Sequence, residues 1–212
     1  MSLDTFEQWV RWIGAVDTLV TLAVMLVGLA RSLTRPRGRA IGRANQMLRA
    51  PTYIIISIGY FGLWYILWRP ISLALPIPAR VAALILGALF LFPGLALVLW
   101  GRLTLGQMDN VSSALGAQLY ANHRLITHGP FAVVRHPMYV GVIMASFGGL
   151  LTYRTWALVF AATTFLGLAV RARREEQVLA AEFGQQWQAY CRQVPAWIPR
   201  LQRQATDSAR DR

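Results

Sequence analysis

Two stretches of this chain concentrate side chains that can do chemistry. The first reads His123-Arg124-Leu125-Ile126-Thr127-His128-Gly129-Pro130-Phe131 and, after Ala-Val-Val, Arg135-His136-Pro137-Met138-Tyr139. The second is Arg171-Ala172-Arg173-Arg174-Glu175-Glu176. Pro137 suits the first turn of a helix, where its missing N–H is no loss. Arg135 and His136 would then stand just before a helix N-terminus, and free backbone N–H groups, the helix dipole, Arg and His together make an anion site. The spacing is equally compatible with Arg135 on a lipid headgroup and His136 as a helix cap. Arg171 and Glu175 are four apart and share a helix face. Taken alone, they read as a solvated charge run. Folding the chain back between the two stretches would set them beside Arg135 and His136, and charges gathered at a membrane cleft point to function. The histidines His123, His128 and His136 have no metal-binding spacing, and the single cysteine, Cys191, excludes an intrachain disulfide, so no metal site is expected.

The elements that must carry these groups are membrane helices. Apolar residues make up 56% of the 212 and charged residues 14%, against roughly 25% charged in soluble proteins. The apolar residues come in blocks, about Trp12 to Ala30, Thr52 to Trp68 and Val81 to Trp100, each close to the ~20 residues of a span. Pro93 should kink the third. From Met138 to Val170 there are 33 residues, interrupted by Tyr153-Arg154-Thr155, which predicts a tight helical hairpin whose second arm runs on past Arg171. The N-terminus carries Asp4 and Glu7 and no basic region, so the first block is expected to persist as a span. The expected fold is all-α: a polytopic helical membrane protein of about five transmembrane helices, with a C-terminal helical hairpin and a cytosolic amphipathic segment. Residues 1–100 form the N-terminal helices, 101–200 the core with the site, and 201–212 a polar tail.

A net charge of +12 could suit nucleic acid, but its distribution argues for topology. All basic residues are arginine; seventeen fall in 31–51, 101–137 and the tail from 171, and only Arg11, Arg69, Arg80 and Arg154 lie on the other side. The positive-inside rule then puts the C-terminus and both polar stretches in the cytoplasm, facing membrane lipids and not nucleic acid. Gly141, Ala145 and Gly148 form a small-residue stripe suited to close helix packing, with a path for a lipid-soluble substrate as the alternative. Leu179, Phe183, Trp187, Tyr190 and Val194 recur at helical spacing and suit either the membrane interface or a cover over the site.

The runs HRLITHGPFAVVRHPMYVG, REE with the following Leu179, Phe183-Gly184 and VPAWIPR resemble the isoprenylcysteine carboxyl methyltransferase family, its bacterial members and the related membrane phospholipid methyltransferases. The resemblance spans residues 123 to 200. It implies an S-adenosyl-L-methionine-dependent methyltransferase in a bacterial inner membrane, acting on a lipophilic or small-molecule acceptor. It places cofactor contacts on His123, Arg124, Leu125, Ile126, Phe131, His136, Pro137, Met138, Tyr139 and Glu175, and a substrate contact on Arg171. Phe131 stands where many relatives carry Tyr and offers no hydroxyl. Arg135, Arg171 and Glu176 make up the expected catalytic set, with Arg171 orienting a carboxylate acceptor and Glu176 as base for a thiol, phenol or amine. A sterol- or steroid-type NADPH reductase shares an RHP-x-Y-like run and is the competing reading.

Overall fold

The computed structural model describes residues 2–33, 37–42, 50–108, 111–113 and 116–200, so the polar tail 201–212 and residues 43–49 of the arginine-rich connection lie outside the described residues. The described residues form seven α-helices: α1 (Leu3–Leu33), α2 (Ala50–Leu67), α3 (Ile77–Leu105), α4 (Pro137–Tyr153), α5 (Trp156–Thr163), α6 (Phe165–Phe183) and α7 (Gln185–Gln193). Leu3–Arg31, Ile77–Met108 and Trp156–Phe183 are long and apolar enough to cross a membrane, and Ile54–Leu67 and Pro137–Tyr153 are shorter apolar helices. The chain is a polytopic helical membrane protein. Large apolar side chains such as Leu19, Ile55, Ile58 and Leu89 point outward from α1, α2 and α3, as a lipid-facing surface requires.

Helix α3 starts behind Pro76 and closes at Gly106, whose φ of 52° reverses the chain. Pro93 lies inside α3 without ending it. Helices α3 and α4 pack closely because their facing residues are small. A Cβ on Gly94 would sit 2.5 Å from the Ala145 nitrogen and 2.8 Å from the Gly141 oxygen, and one on Gly148 would strike the backbone of Leu91. Gly141 and Gly148 of the stripe are therefore a packing face against α3.

The hairpin turns at Arg154, in the left-handed region at φ 52°. Its carbonyl accepts from Ile71 N–H at 2.7 Å, while Trp156 N–H donates to Arg69 at 3.1 Å. The second arm runs as α5 and, after Thr164, as α6, well past Arg171. At this end of the bundle Glu7, 2% exposed, pairs with Arg11 at 2.6 Å, with Arg80 at 2.5 Å and with Arg154. Three of the four arginines assigned to this side thus converge on one carboxylate and join α1, α3 and α4.

A small sheet was not anticipated. Strands β1 (Arg37–Gly42), β2 (Val111–Ser113) and β3 (Gly116–Tyr120) pair antiparallel in the order β1-β3-β2. Leu119 of β3 is fully buried against Val178 of α6, with Leu179 and Phe183 beside it. The sheet thereby braces the part of α6 that carries Glu175 and Glu176.

Candidate active site

The end of α3, the irregular segment after β3, the start of α4, the middle of α6 and α7 enclose one cleft at the end of the bundle opposite Glu7. His123, Arg124, Leu125 and Ile126 line it from the segment after β3, and Phe131 from a short 3-10 turn at Gly129–Ala132. Arg135, His136, Pro137, Met138 and Tyr139 line it from the N-terminus of α4, and Arg171 and Glu175 from α6. Two stretches about forty residues apart thus face one space because the hairpin folds back. Glu176 is not among the lining residues.

The two neighbouring glutamates take different partners. Glu175 Oε1 accepts from the Tyr139 hydroxyl at 2.5 Å and from Arg171 Nε at 3.4 Å. The Arg171 guanidinium also lies over the Tyr139 ring, 5.4 Å from its centroid. Glu176 turns toward the α4 N-terminus, where its Oε1 accepts from Arg135 Nε at 3.1 Å, Arg135 Nη2 at 3.0 Å and His136 Nε2 at 2.9 Å. An oxygen already accepting from three N–H groups is a poor proton acceptor. Through that one oxygen Glu176 holds Arg135 and His136 in place.

A strap closes the far side of Arg135 and His136. Their backbone N–H groups donate to Pro195 at 2.9 Å and Ala196 at 3.1 Å, and Arg135 Nη1 donates to the Val194 carbonyl at 2.7 Å. Trp197 lies against the His136 ring at 5.3 Å and the Tyr139 ring at 6.1 Å. The first turn of α4 has no side-chain cap, and its dipole favours an anion.

Trp187, Tyr190 and Val194 turn inward as a buried cluster with Leu125, Leu179 and Phe183, so the helical stripe packs against the site and not on the membrane interface. It is also broken at Gly184, φ 48°, into α6 and α7. The Tyr190 hydroxyl donates to the Phe131 carbonyl at 2.6 Å. Burial pushes that phenol's pKa up, which keeps it a donor. His123 sits between Tyr120 and Phe183, each 6.2 Å away ring to ring, and burial lowers its pKa, with Glu182 opposing. Its Nδ1 is buried and makes no hydrogen bond.

Two lining residues, Leu105 and Met108, escaped the sequence reading. They continue the third apolar block, and only the fold brings them to the cleft. Trp197 was visible as part of VPAWIPR, but nothing in its spacing tied it to His136.

Residues 82–186 match the family model described as phospholipid methyltransferase. The chain is 31% identical over 157 residues to a methanethiol S-methyltransferase of Pseudomonas deceptionensis, a match covering 72% of this chain and 60% of that protein. It is 34% identical over 80 residues to protein-S-isoprenylcysteine O-methyltransferase B of Arabidopsis thaliana, covering 37% of this chain and 41% of the relative. A protein-S-isoprenylcysteine O-methyltransferase of Schizosaccharomyces pombe is 31% identical over 93 residues, covering 43% of this chain and 39% of the relative. The chain thus spans between about two fifths and three fifths of the length of these relatives.

Proposed function

Because the chain belongs to the isoprenylcysteine carboxyl methyltransferase family, related to the membrane phospholipid methyltransferases, we propose that it is a membrane methyltransferase that uses S-adenosyl-L-methionine. The acceptor we propose is lipophilic or a small molecule delivered through the membrane. The arginine asymmetry favours a cytoplasmic cleft in a bacterial inner membrane.

The residues present suit the cofactor. His123 Nδ1, buried and unpartnered, offers a polar contact to a nucleoside where water does not compete. Leu125, Ile126, Phe131 and Met138 give apolar walls for a flat base. Glu175 can accept from a ribose hydroxyl or an ammonium group, and the uncapped first turn of α4, beside His136 and Arg135, suits a carboxylate. Arg124 and Tyr139 complete this binding set.

The bound cofactor supplies a methyl group on a sulfonium centre. The chain's part is to align and to exclude water, which methyl transfer needs more than acid–base power. Trp187, Tyr190 and Leu179 cover the cleft from α7 and α6. Arg171, about one third exposed at the lip, orients a carboxylate acceptor or, by its charge, favours the thiolate of a thiol acceptor. A small thiol is the first acceptor to assay, since the match to the methanethiol enzyme runs over more of the chain than those to the isoprenylcysteine enzymes.

The observation that carries this reading is the meeting of Glu175, His123 and the α4 N-terminus on one cleft. Thermal unfolding of the detergent-purified protein tests it. S-adenosylhomocysteine at a hundred times its dissociation constant should stabilise by about 2.7 kcal/mol. A shift with NADPH alone, or with neither ligand, overturns it.

A further inference from the structure

A second cavity, of about 480 Å³, opens among α1, α2, α3, α4 and α5. It shares no lining residue with the cleft. On α4 the cleft is lined as far as Tyr139 and the cavity from Val142 to Gly149, so the two approach to about 5 Å along the helix axis without sharing a wall residue. Its wall is almost entirely apolar, with Leu22, Leu91 and Leu158 among the residues forming it.

Two residues of this wall carry polar atoms that break the pattern. Thr21 Oγ1 and Trp64 Nε1 are buried and have no hydrogen-bond partner. Thr21 is 6% exposed. One turn earlier on the same helix, Thr18 donates to the Gly14 carbonyl at 2.7 Å, the usual way a membrane helix satisfies a hydroxyl. Thr21 does not do this. The Trp64 indole is flanked by Trp68 at 6.0 Å and Tyr60 at 6.3 Å, and neither ring accepts its N–H. In hydrocarbon no water satisfies such donors, and leaving them unmade is costly. Bulk acyl chains could fill the space but could not accept these hydrogens.

We infer that this cavity binds a lipid-soluble molecule whose hydrocarbon body carries a carbonyl oxygen, as in a ketone, an ester or a quinone, which accepts from the Thr21 hydroxyl and the Trp64 indole. Occupancy is non-covalent and independent of methyl transfer, so it stands or falls without the proposed activity.

The test uses full-length protein, delipidated in detergent and without a methyl donor. Methyl undecyl ketone and tridecane, equal in chain length, are titrated at matched micellar mole fractions while melting temperature is read. The ketone should bind about 25-fold more tightly than the hydrocarbon, the worth of two hydrogen bonds at about fivefold each. Thr21→Val and Trp64→Phe should each reduce that preference. Thr21→Val should also raise the melting temperature of the ligand-free protein, because it replaces an unsatisfied hydroxyl by a methyl group of the same shape. Equal binding of the two probes, no binding of either, a ketone preference unchanged in both variants, or a lower melting temperature for ligand-free Thr21→Val would each overturn the inference.

Discussion

Arg135 and Glu176 meet through a single oxygen: Nε and Nη2 of the guanidinium both donate to Oε1, at 3.1 and 3.0 Å. The same oxygen accepts from His136, so one carboxylate on α6 fixes the two residues that precede α4. The neighbouring Glu175 is left to face the cleft. Adjacent acids on one helix thus divide, one toward the cleft and one toward the scaffold. Glu176→Ala would leave Arg135, whose side chain is 13% exposed, without its partner. The expected cost is about 1–3 kcal/mol of stability. Glu176→Gln keeps an accepting oxygen and should cost less. If Glu176 were a general base, the glutamine variant would lose about a hundredfold or more in turnover; we expect a loss within about tenfold. Chemical denaturation and steady-state rates on both variants distinguish the two roles.

Glu175 presents the opposite case. Its oxygen holds the Tyr139 hydroxyl at 2.5 Å on the cleft wall. Glu175→Gln should weaken S-adenosylhomocysteine by roughly ten- to a hundredfold, the size of a lost charge-assisted hydrogen bond. Tyr139→Phe should lose about fivefold. Both variants should still express and insert. Calorimetric titration gives the numbers, and unaltered affinity in Glu175→Gln would move the ligand elsewhere.

His123 gives the cleft a pH dependence. Burial holds its pKa below the ordinary 6.5, so the ring is neutral at pH 7 and the unfolded chain takes up its proton first as the solution is acidified. Its contribution therefore runs in one direction: stability is full above 6.5 and falls as the pH drops below it toward the lowered pKa of the folded state, and ligand affinity falls only as the pH passes through that lowered value. A ligand that uses the unpartnered Nδ1 should bind with an affinity that is flat from pH 8 to 6.5 and declines at lower pH. In His123→Gln that decline should be smaller. The same affinity and the same acid decline in wild type and His123→Gln would remove His123 from the binding set.

Much of this arrangement could be read from the sequence, because a bilayer imposes length and composition on whatever crosses it. The apolar blocks, the break at Tyr153-Arg154-Thr155 and the run of α6 beyond Arg171 all follow from that constraint. The small sheet did not show itself, since its strands are short and two of the three carry glycine, with no period-two alternation long enough to register. The separation of Glu175 from Glu176 was also invisible. Residues one apart on a helix point about 100° away from each other, but which of them faces the ligand depends on where α4 lies. The inward turn of Trp187 and Tyr190 was likewise hidden, because an amphipathic stripe reads the same whether it covers a site or rests on lipid.

Trp197 supplies the last prediction, since it reaches the site from outside the helices. It packs on His136 and Tyr139 at once, while Pro195 and Ala196 next to it take the N–H groups of Arg135 and His136. The strap therefore fixes the backbone entering α4 from one side while Glu176 fixes the side chains from the other. Two aromatic contacts of about 0.5–1.5 kcal/mol each are enough to set how tightly the α4 N-terminus is held for a ligand carboxylate. Trp197→Ala should raise the KM for the methyl donor about tenfold and leave kcat at saturating donor within about threefold, because the strap orders a binding wall and does not touch the acceptor. Trp197→Phe keeps a ring in place and should restore most of the donor affinity. An unchanged donor KM in Trp197→Ala would show that the α4 N-terminus keeps its geometry without the strap, leaving Glu176 as the residue that sets it.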